Sequence, residues 1–100
     1  MIRLGFKGKT NSEFIYVNYI TFEFKDGRQV NIDRNRTEYV IDNGGFEMIW
    51  KGIYIWDGKK HDYKLDTKLF DGAKIVHIDI DDEAPSNYGI DISYWKAFES

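Results

Sequence analysis

Three glycine-containing turn signals divide the chain into short apolar segments. They are Asp26-Gly27, Asn43-Gly44-Gly45 and Asp57-Gly58. Asn-Gly and Asp-Gly supply the positive φ angles that tight hairpins need. The residues around these signals alternate between apolar and polar with a period of two, so we expect the segments to pair as antiparallel β-strands.

The choice of aliphatic residues favours the same structure. The chain has 13 Ile and 4 Val against 3 Leu and 3 Ala, and 17% of its residues are aromatic. Side chains branched at Cβ and aromatic rings pack well on a pleated sheet, whereas Leu and Ala are better helix formers. We therefore predict one all-β domain over residues 1–100. It would be a mainly antiparallel small sandwich, or a closed or partly open barrel, of about eight short strands.

The alternation also places the individual strands. They are expected over residues 2–7, 14–25, 28–33, 38–42, 46–56, 61–66, 74–80 and 88–98. Residues 14–25 form a central, bent strand in this interpretation, because their apolar pattern changes from both faces to one. Gly52 interrupts residues 46–56, where glycine usually marks a bulge. At most one short helical turn is expected, near residues 67–72, between Thr67 and Gly72.

The chain lacks the residue combinations that most catalytic and metal sites need. It has no cysteine, and none of its serines lies in a Gly-x-Ser-x-Gly setting. His61 and His77 have no metal-ligand spacing, so each is expected to be an ordinary surface or sheet-face histidine. We expect a protein that is not an enzyme and that has no cofactor and no metal.

Residues 79–83 carry the most unusual charge pattern, with Asp79, Asp81, Asp82 and Glu83 inside five positions. One interpretation is a solvated strand end whose charges prevent pairing with another chain. A second is an acidic recognition surface, to which Asp91 would add. A third is a Ca²⁺ loop, although glycine at the sixth loop position and glutamate at the twelfth are both missing from the EF-hand pattern.

An aromatic row is the second candidate. If the pleat continues through residues 46–56, Trp50, Tyr54 and Trp56 share one face with Phe46 and Met48. Such a row is typical of sugar-stacking platforms and of protein-binding hot spots. A core stripe of a small aromatic-rich domain is the commoner origin of such a row. Base stacking usually comes with a basic groove, and the net charge of −3 argues against it.

Together these features favour a non-catalytic protein-interaction module. Small, acidic, aromatic-rich chains without cysteine are the physical type of intracellular inhibitors, such as anti-CRISPR-like proteins that phages or mobile elements direct against host defence nucleases. The expected partner is a protein, for example a basic nucleic-acid-binding protein, and direct binding to nucleic acid or membrane is not expected. The residues expected to bind it are Asp79, Asp81, Asp82, Glu83, Asp91, Trp50, Tyr54 and Trp56. The alternative is a β module that binds carbohydrate or a small ligand through the aromatic strip.

The first residues contain no apolar leader segment, and the longest apolar run covers only residues 53–56. Signal peptides and membrane spans need longer apolar stretches than this. We expect the protein in the cytoplasm, which would be the host cytoplasm if a phage encodes it.

Overall fold

A computed structural model shows an all-β protein, as the sequence predicts. It describes residues 2–51 and 67–99, and the backbone of residues 55–56. The strands are β1 Ile2–Thr10, β2 Val17–Glu23, β3 Gln29–Asp33, β4 Thr37–Asp42, β5 Gly45–Lys51, β6 Ile55–Trp56, β7 Lys74–Ile80 and β8 Ile90–Glu99. A single 3₁₀ turn, Thr67–Phe70, is the helical element in this part of the chain, which confirms the turn expected near residues 67–72.

The strands form two four-stranded antiparallel sheets. Sheet 1 has the order β4-β5-β1-β8, and sheet 2 has the order β6-β3-β2-β7. The chain therefore crosses between the sheets at residues 11–16, 34–36 and 81–89. Crossings of this kind produce a sandwich, in which the inner faces of two sheets bury each other.

Alternate residues of the strands fill the space between the sheets. On sheet 1, Leu4 and Phe6 point inward, and on sheet 2 Ile20 and Phe22 do so, each 0–1% exposed. The ring of Phe22 lies 4.9 Å from that of Trp95, which belongs to sheet 1. The fully buried large side chains are Trp50, Phe6, Phe22, Leu4, Ile20, Ile32, Met48 and Val17. The core is consequently built mainly from aromatic and β-branched side chains.

The two described hairpin turns differ from each other. Asn43 and Gly44 have φ angles of 50° and 80°, as a two-residue type I′ turn requires. At Asp26-Gly27 the sequence also predicts type I′, but only Gly27 has a positive φ, 90°. Phe24 N donates to Arg28 O at 2.8 Å, and Gly27 N donates to Phe24 O at 2.9 Å. The prediction is wrong there, because the chain forms a three-residue loop that ends in a left-handed glycine.

The strand expected over residues 46–56 is divided between the sheets. β5 ends at Lys51 in sheet 1, whereas Ile55 and Trp56 pair with Ile32 and Asn31 of β3 in sheet 2. A period-two pattern continues on either side of such a crossing, so the sequence alone does not reveal it. Gly52 and the strand expected at residues 61–66 lie outside the described residues.

Two other strand boundaries differ from those that the sequence predicts. β1 continues to Thr10, although a turn was expected from residue 8. Lys9 and Thr10 pair with Asp91 and Ile90 of β8, and the Thr10 hydroxyl donates to Gly89 O at 2.9 Å. β2 begins only at Val17 instead of residue 14. The polar residues Lys9 and Thr10 thus belong to β1 because their backbone pairs with β8.

We predict that Gly8→Ala strongly destabilises the protein. A Cβ on Gly8 would lie 1.8 Å from Asp91 O, at the register shift between β1 and β8. Backbone atoms cannot move away cheaply, so the free energy of unfolding should fall by about 3 kcal/mol or more in urea denaturation. Gly5→Ala is the control, because its Cβ would lie 3.3 Å from Cε1 of the Phe98 ring, which can shift. Equal losses in both variants would contradict the close approach at Gly8.

Candidate functional site

The acidic residues 81–83 lie in the connection that leaves sheet 2 after β7 and enters sheet 1 at β8. Asp81 N donates to Tyr16 O at 2.5 Å. Asp81 Oδ1 accepts from Glu83 N at 2.9 Å, and Ala84 N donates to Asp81 O at 3.0 Å. Asp81 therefore closes a tight turn, and the exposed side chains of Asp82 and Glu83 stand at its tip.

The far end of this connection is held by the end of β1 and the residue after it. Asn11 Oδ1 accepts from Gly89 N at 2.8 Å, and Asn11 Nδ2 donates to Asn87 O. Tyr88 N donates to Pro85 O at 2.8 Å. With hydrogen bonds at both ends, the acidic turn has a defined conformation before any partner arrives, which lowers the entropy cost of binding.

Tyr88, which lies in the same connection as the acidic turn, begins a chain of three packed aromatic rings. Tyr88 and Tyr16 meet edge to face with ring centroids 5.2 Å apart, and Phe14 meets Tyr16 in the same way at 6.2 Å. Phe14 is 55% exposed. We call Phe14, Tyr16, Asp81, Asp82, Glu83 and Tyr88 the acidic–aromatic surface. It combines an apolar ring open to solvent with carboxylates on a hydrogen-bonded turn.

Tyr88 also contacts the backbone of Tyr16. Its hydroxyl oxygen accepts from Tyr16 N at 3.2 Å. Burial raises the pKa of Tyr88 above the ordinary value of 10.0, against the opposing effect of that hydrogen bond. The phenol therefore stays neutral throughout the physiological range and keeps the rings in place.

Asp79 and Asp91 lie in the strands on either side of this connection and not in the turn with which the sequence groups them. Asp79 faces outward from sheet 2 and accepts a hydrogen bond from Asn18 Nδ2 at 3.1 Å. Asp91 is exposed in β8 of sheet 1, where its register partner is Lys9. The predicted acidic set is thus distributed over one turn and the outer faces of two different sheets.

Trp50 is 0% exposed. Its ring packs against Phe6 at 5.1 Å between the sheets. Phe46 and Met48 are buried with it, so the core interpretation of the aromatic row is correct for β5. The prediction that Trp50 contacts a partner is wrong, because alternation does not show which face of a strand is covered. Tyr54 and the side chain of Trp56 lie outside the described residues.

The sequence does not predict the aromatic residues that belong to the acidic–aromatic surface. Phe14 and Tyr16 come before β2, and Tyr88 is distant from both in sequence. A run that is apolar on both faces was the available signal at residues 15–17, and it was interpreted as part of a buried strand. The hydrogen bonds from Asp81 N to Tyr16 O and from Tyr16 N to the Tyr88 hydroxyl join this segment to the connection that carries the acidic turn.

Within residues 2–51, 55–56 and 67–99, no three His, Asp or Glu side chains form a group that could hold a metal ion. The same residues include no helix of sufficient length and apolarity to cross a membrane. Comparison with protein-family models, curated proteins and solved structures finds no match to this chain.

We expect Tyr88→Phe to lower the free energy of unfolding by about 1 kcal/mol at pH 7, because Tyr16 N loses its acceptor. The difference in free energy of unfolding between this variant and wild type should become smaller above pH 10. The pKa of Tyr88 is higher in the folded than in the unfolded protein, so only wild type loses this stabilisation as pH rises through 10.

Urea denaturation at pH 7 and near pH 11 measures both effects. Tyr94→Phe is the matched control, since Tyr94 is 53% exposed in β8, and it should leave stability at pH 7 unchanged. This role for Tyr88 would be contradicted if Tyr88→Phe did not lower the free energy of unfolding at pH 7. It would also be contradicted if the loss became larger as the pH rises.

Proposed function

We propose that this protein is a non-catalytic interaction module that binds a basic surface of a partner protein through its acidic–aromatic surface. The observation that carries the proposal is the 55% exposure of Phe14. Its ring packs on Tyr16, and the carbonyl oxygen of Tyr16 accepts from Asp81 N of the acidic turn. Asp82 and Glu83 form no ion pair with any described residue, so their charges are available to a partner.

The two components of the surface have different physical roles. An exposed aromatic ring that enters a pocket can serve as an anchor, because large apolar side chains supply most of the binding free energy in many interfaces. Burying the exposed part of Phe14 would be worth about 1–2 kcal/mol. The carboxylates accelerate encounter with a basic partner and fix its orientation.

A groove that normally holds nucleic acid is a suitable target for such a surface. Carboxylates on a fixed turn can occupy the positions of phosphate groups and accept hydrogen bonds from Arg and Lys. An inhibitor of a host defence nuclease, of the anti-CRISPR-like type, is the specific form of this proposal. The charge of residues 81–83 supports it. The carbohydrate-binding alternative has lost Trp50 from its aromatic strip.

We predict that Asp81→Asn, Asp82→Asn and Glu83→Gln together leave the melting temperature within about 3 °C of wild type, since exposed charges contribute little to folding. Asn at position 81 keeps the acceptor oxygen for Glu83 N. Partner binding should weaken about tenfold or more at low salt and less at high salt, because salt already screens the wild-type charges.

The measurement compares immobilised wild type and variants in a lysate of the source or host cell, with retained proteins identified by mass spectrometry. The matched control replaces three other exposed aspartates, Asp33, Asp42 and Asp71, with asparagine. A partner should be retained by wild type and the control triple, and lost from the acidic triple and from Phe14→Ala. Equal retention by all four proteins would refute the proposal.

A further inference from the structure

The short crossing from β3 to β4 forms a small cleft that also reaches the residues preceding β2. Arg34 N donates to Asn18 O at 2.9 Å, and Lys51 N donates to Asn35 O at 3.2 Å, so both sheets fix this backbone. The residues that line the cleft are Ile15, Arg34, Asn35, Arg36, Thr37 and Tyr39. It lies beside β3, whereas the acidic turn lies beside β7 on the other side of β2.

The cleft carries positive charge that the described residues do not neutralise. Arg34 and Arg36 are both exposed, and neither forms an ion pair with them. Of the neighbouring carboxylates, Glu38 is already bonded to Lys51 Nζ at 2.6 Å. Asp33 lies on the outer face of sheet 2, where its register partner is Tyr19.

Two unfavourable local features occur in the same cleft. Arg36 has a φ of 42°, in the left-handed region that side chains with a Cβ rarely adopt. Thr37 Oγ1 is buried and has no hydrogen-bond partner among the described residues. Strained backbone and unsatisfied polar groups tend to occur at binding sites, where a ligand supplies the missing interactions.

We propose that this cleft binds a phosphate monoester. Two guanidinium groups match the double negative charge of the phosphoryl group, and their planar donor arrays suit its oxygens. Rotation of the Thr37 side chain would bring its hydroxyl, which is buried in the free protein, to a phosphoryl oxygen. Tyr39, 41% exposed at the wall of the cleft, offers its ring to the organic part of the ester. The site contains none of the residues of the acidic–aromatic surface, so its test does not depend on the proposed function.

The test is an amide NMR titration with inorganic phosphate, phenyl phosphate and phenylacetate at constant ionic strength. Saturable shifts should appear at residues 34–37 and 39. Phenyl phosphate should bind more tightly than inorganic phosphate because of Tyr39, and more tightly than phenylacetate because a carboxylate carries a single charge. Affinity for phenyl phosphate should rise between pH 5 and pH 7.5, since the second pKa of a phosphate monoester is about 6.

Two variants separate binding from folding. Arg36→Asn removes a charge with a residue that tolerates left-handed φ, and it should weaken phenyl phosphate binding about tenfold. Thr37→Val removes the unpartnered hydroxyl at nearly constant shape, so the melting temperature should stay level or rise while affinity falls several-fold. Lys96→Gln, an exposed charge change in β8, is the control and should bind as wild type. Shifts that do not saturate, or unchanged affinity in both cleft variants, would overturn the site.

Discussion

The packing of Phe22 between the sheets is the contact on which the rest of the structure depends. This residue of β2 lies 4.9 Å from Trp95 and 6.4 Å from Phe6, both of sheet 1, and 5.7 Å from Phe70 of the 3₁₀ turn. One ring thus joins three elements that are far apart in sequence. Rings of this size bury much apolar area in few contacts, which allows a chain of 100 residues without cysteine to form a core. Because Phe22 fixes β2, it also fixes the residues that precede β2.

Tyr16, just before β2, and Asn18, the second residue of β2, position the two candidate surfaces. Tyr16 O accepts a hydrogen bond from Asp81 N of the acidic turn, and Asn18 O accepts one from Arg34 N of the cleft. β2 is flanked by β7 on one side and β3 on the other, so opposite charges are brought to opposite sides of a single segment. The net charge of −3 does not reveal this separation. At physiological salt, charges are screened beyond about 8 Å, so a partner responds to the local charge it meets rather than to the total.

The sequence predicted what local chemistry determines. The all-β class, the strand Lys74–Ile80 and the Asn43-Gly44 turn were correct, because β-branched residues and left-handed positions act within a few residues. The division of residues 46–56 between two sheets depends on pairing with distant strands, and no local pattern encodes it. The same limit applies to the site. The acidic turn is evident as a run of carboxylates, but Phe14 is linked to it through Tyr16, whose partners Asp81 and Tyr88 are distant in sequence.

The acidic run shows how one segment can serve the fold and remain available for binding. β7 is the outer strand of sheet 2 as described, and Val76 forms a bulge between the pairs Ile75–Phe22 and His77–Thr21. A bulge and terminal charges both discourage an exposed edge from pairing with another chain. Asp79 is hydrogen-bonded to Asn18, and Asp81 closes the turn. Asp82 and Glu83 have no such task among the described residues, and like charges so close together are mildly unfavourable for folding. The positive charges of a basic partner would offset that repulsion. The two carboxylates that contribute least to folding are therefore the two best placed to contribute to binding.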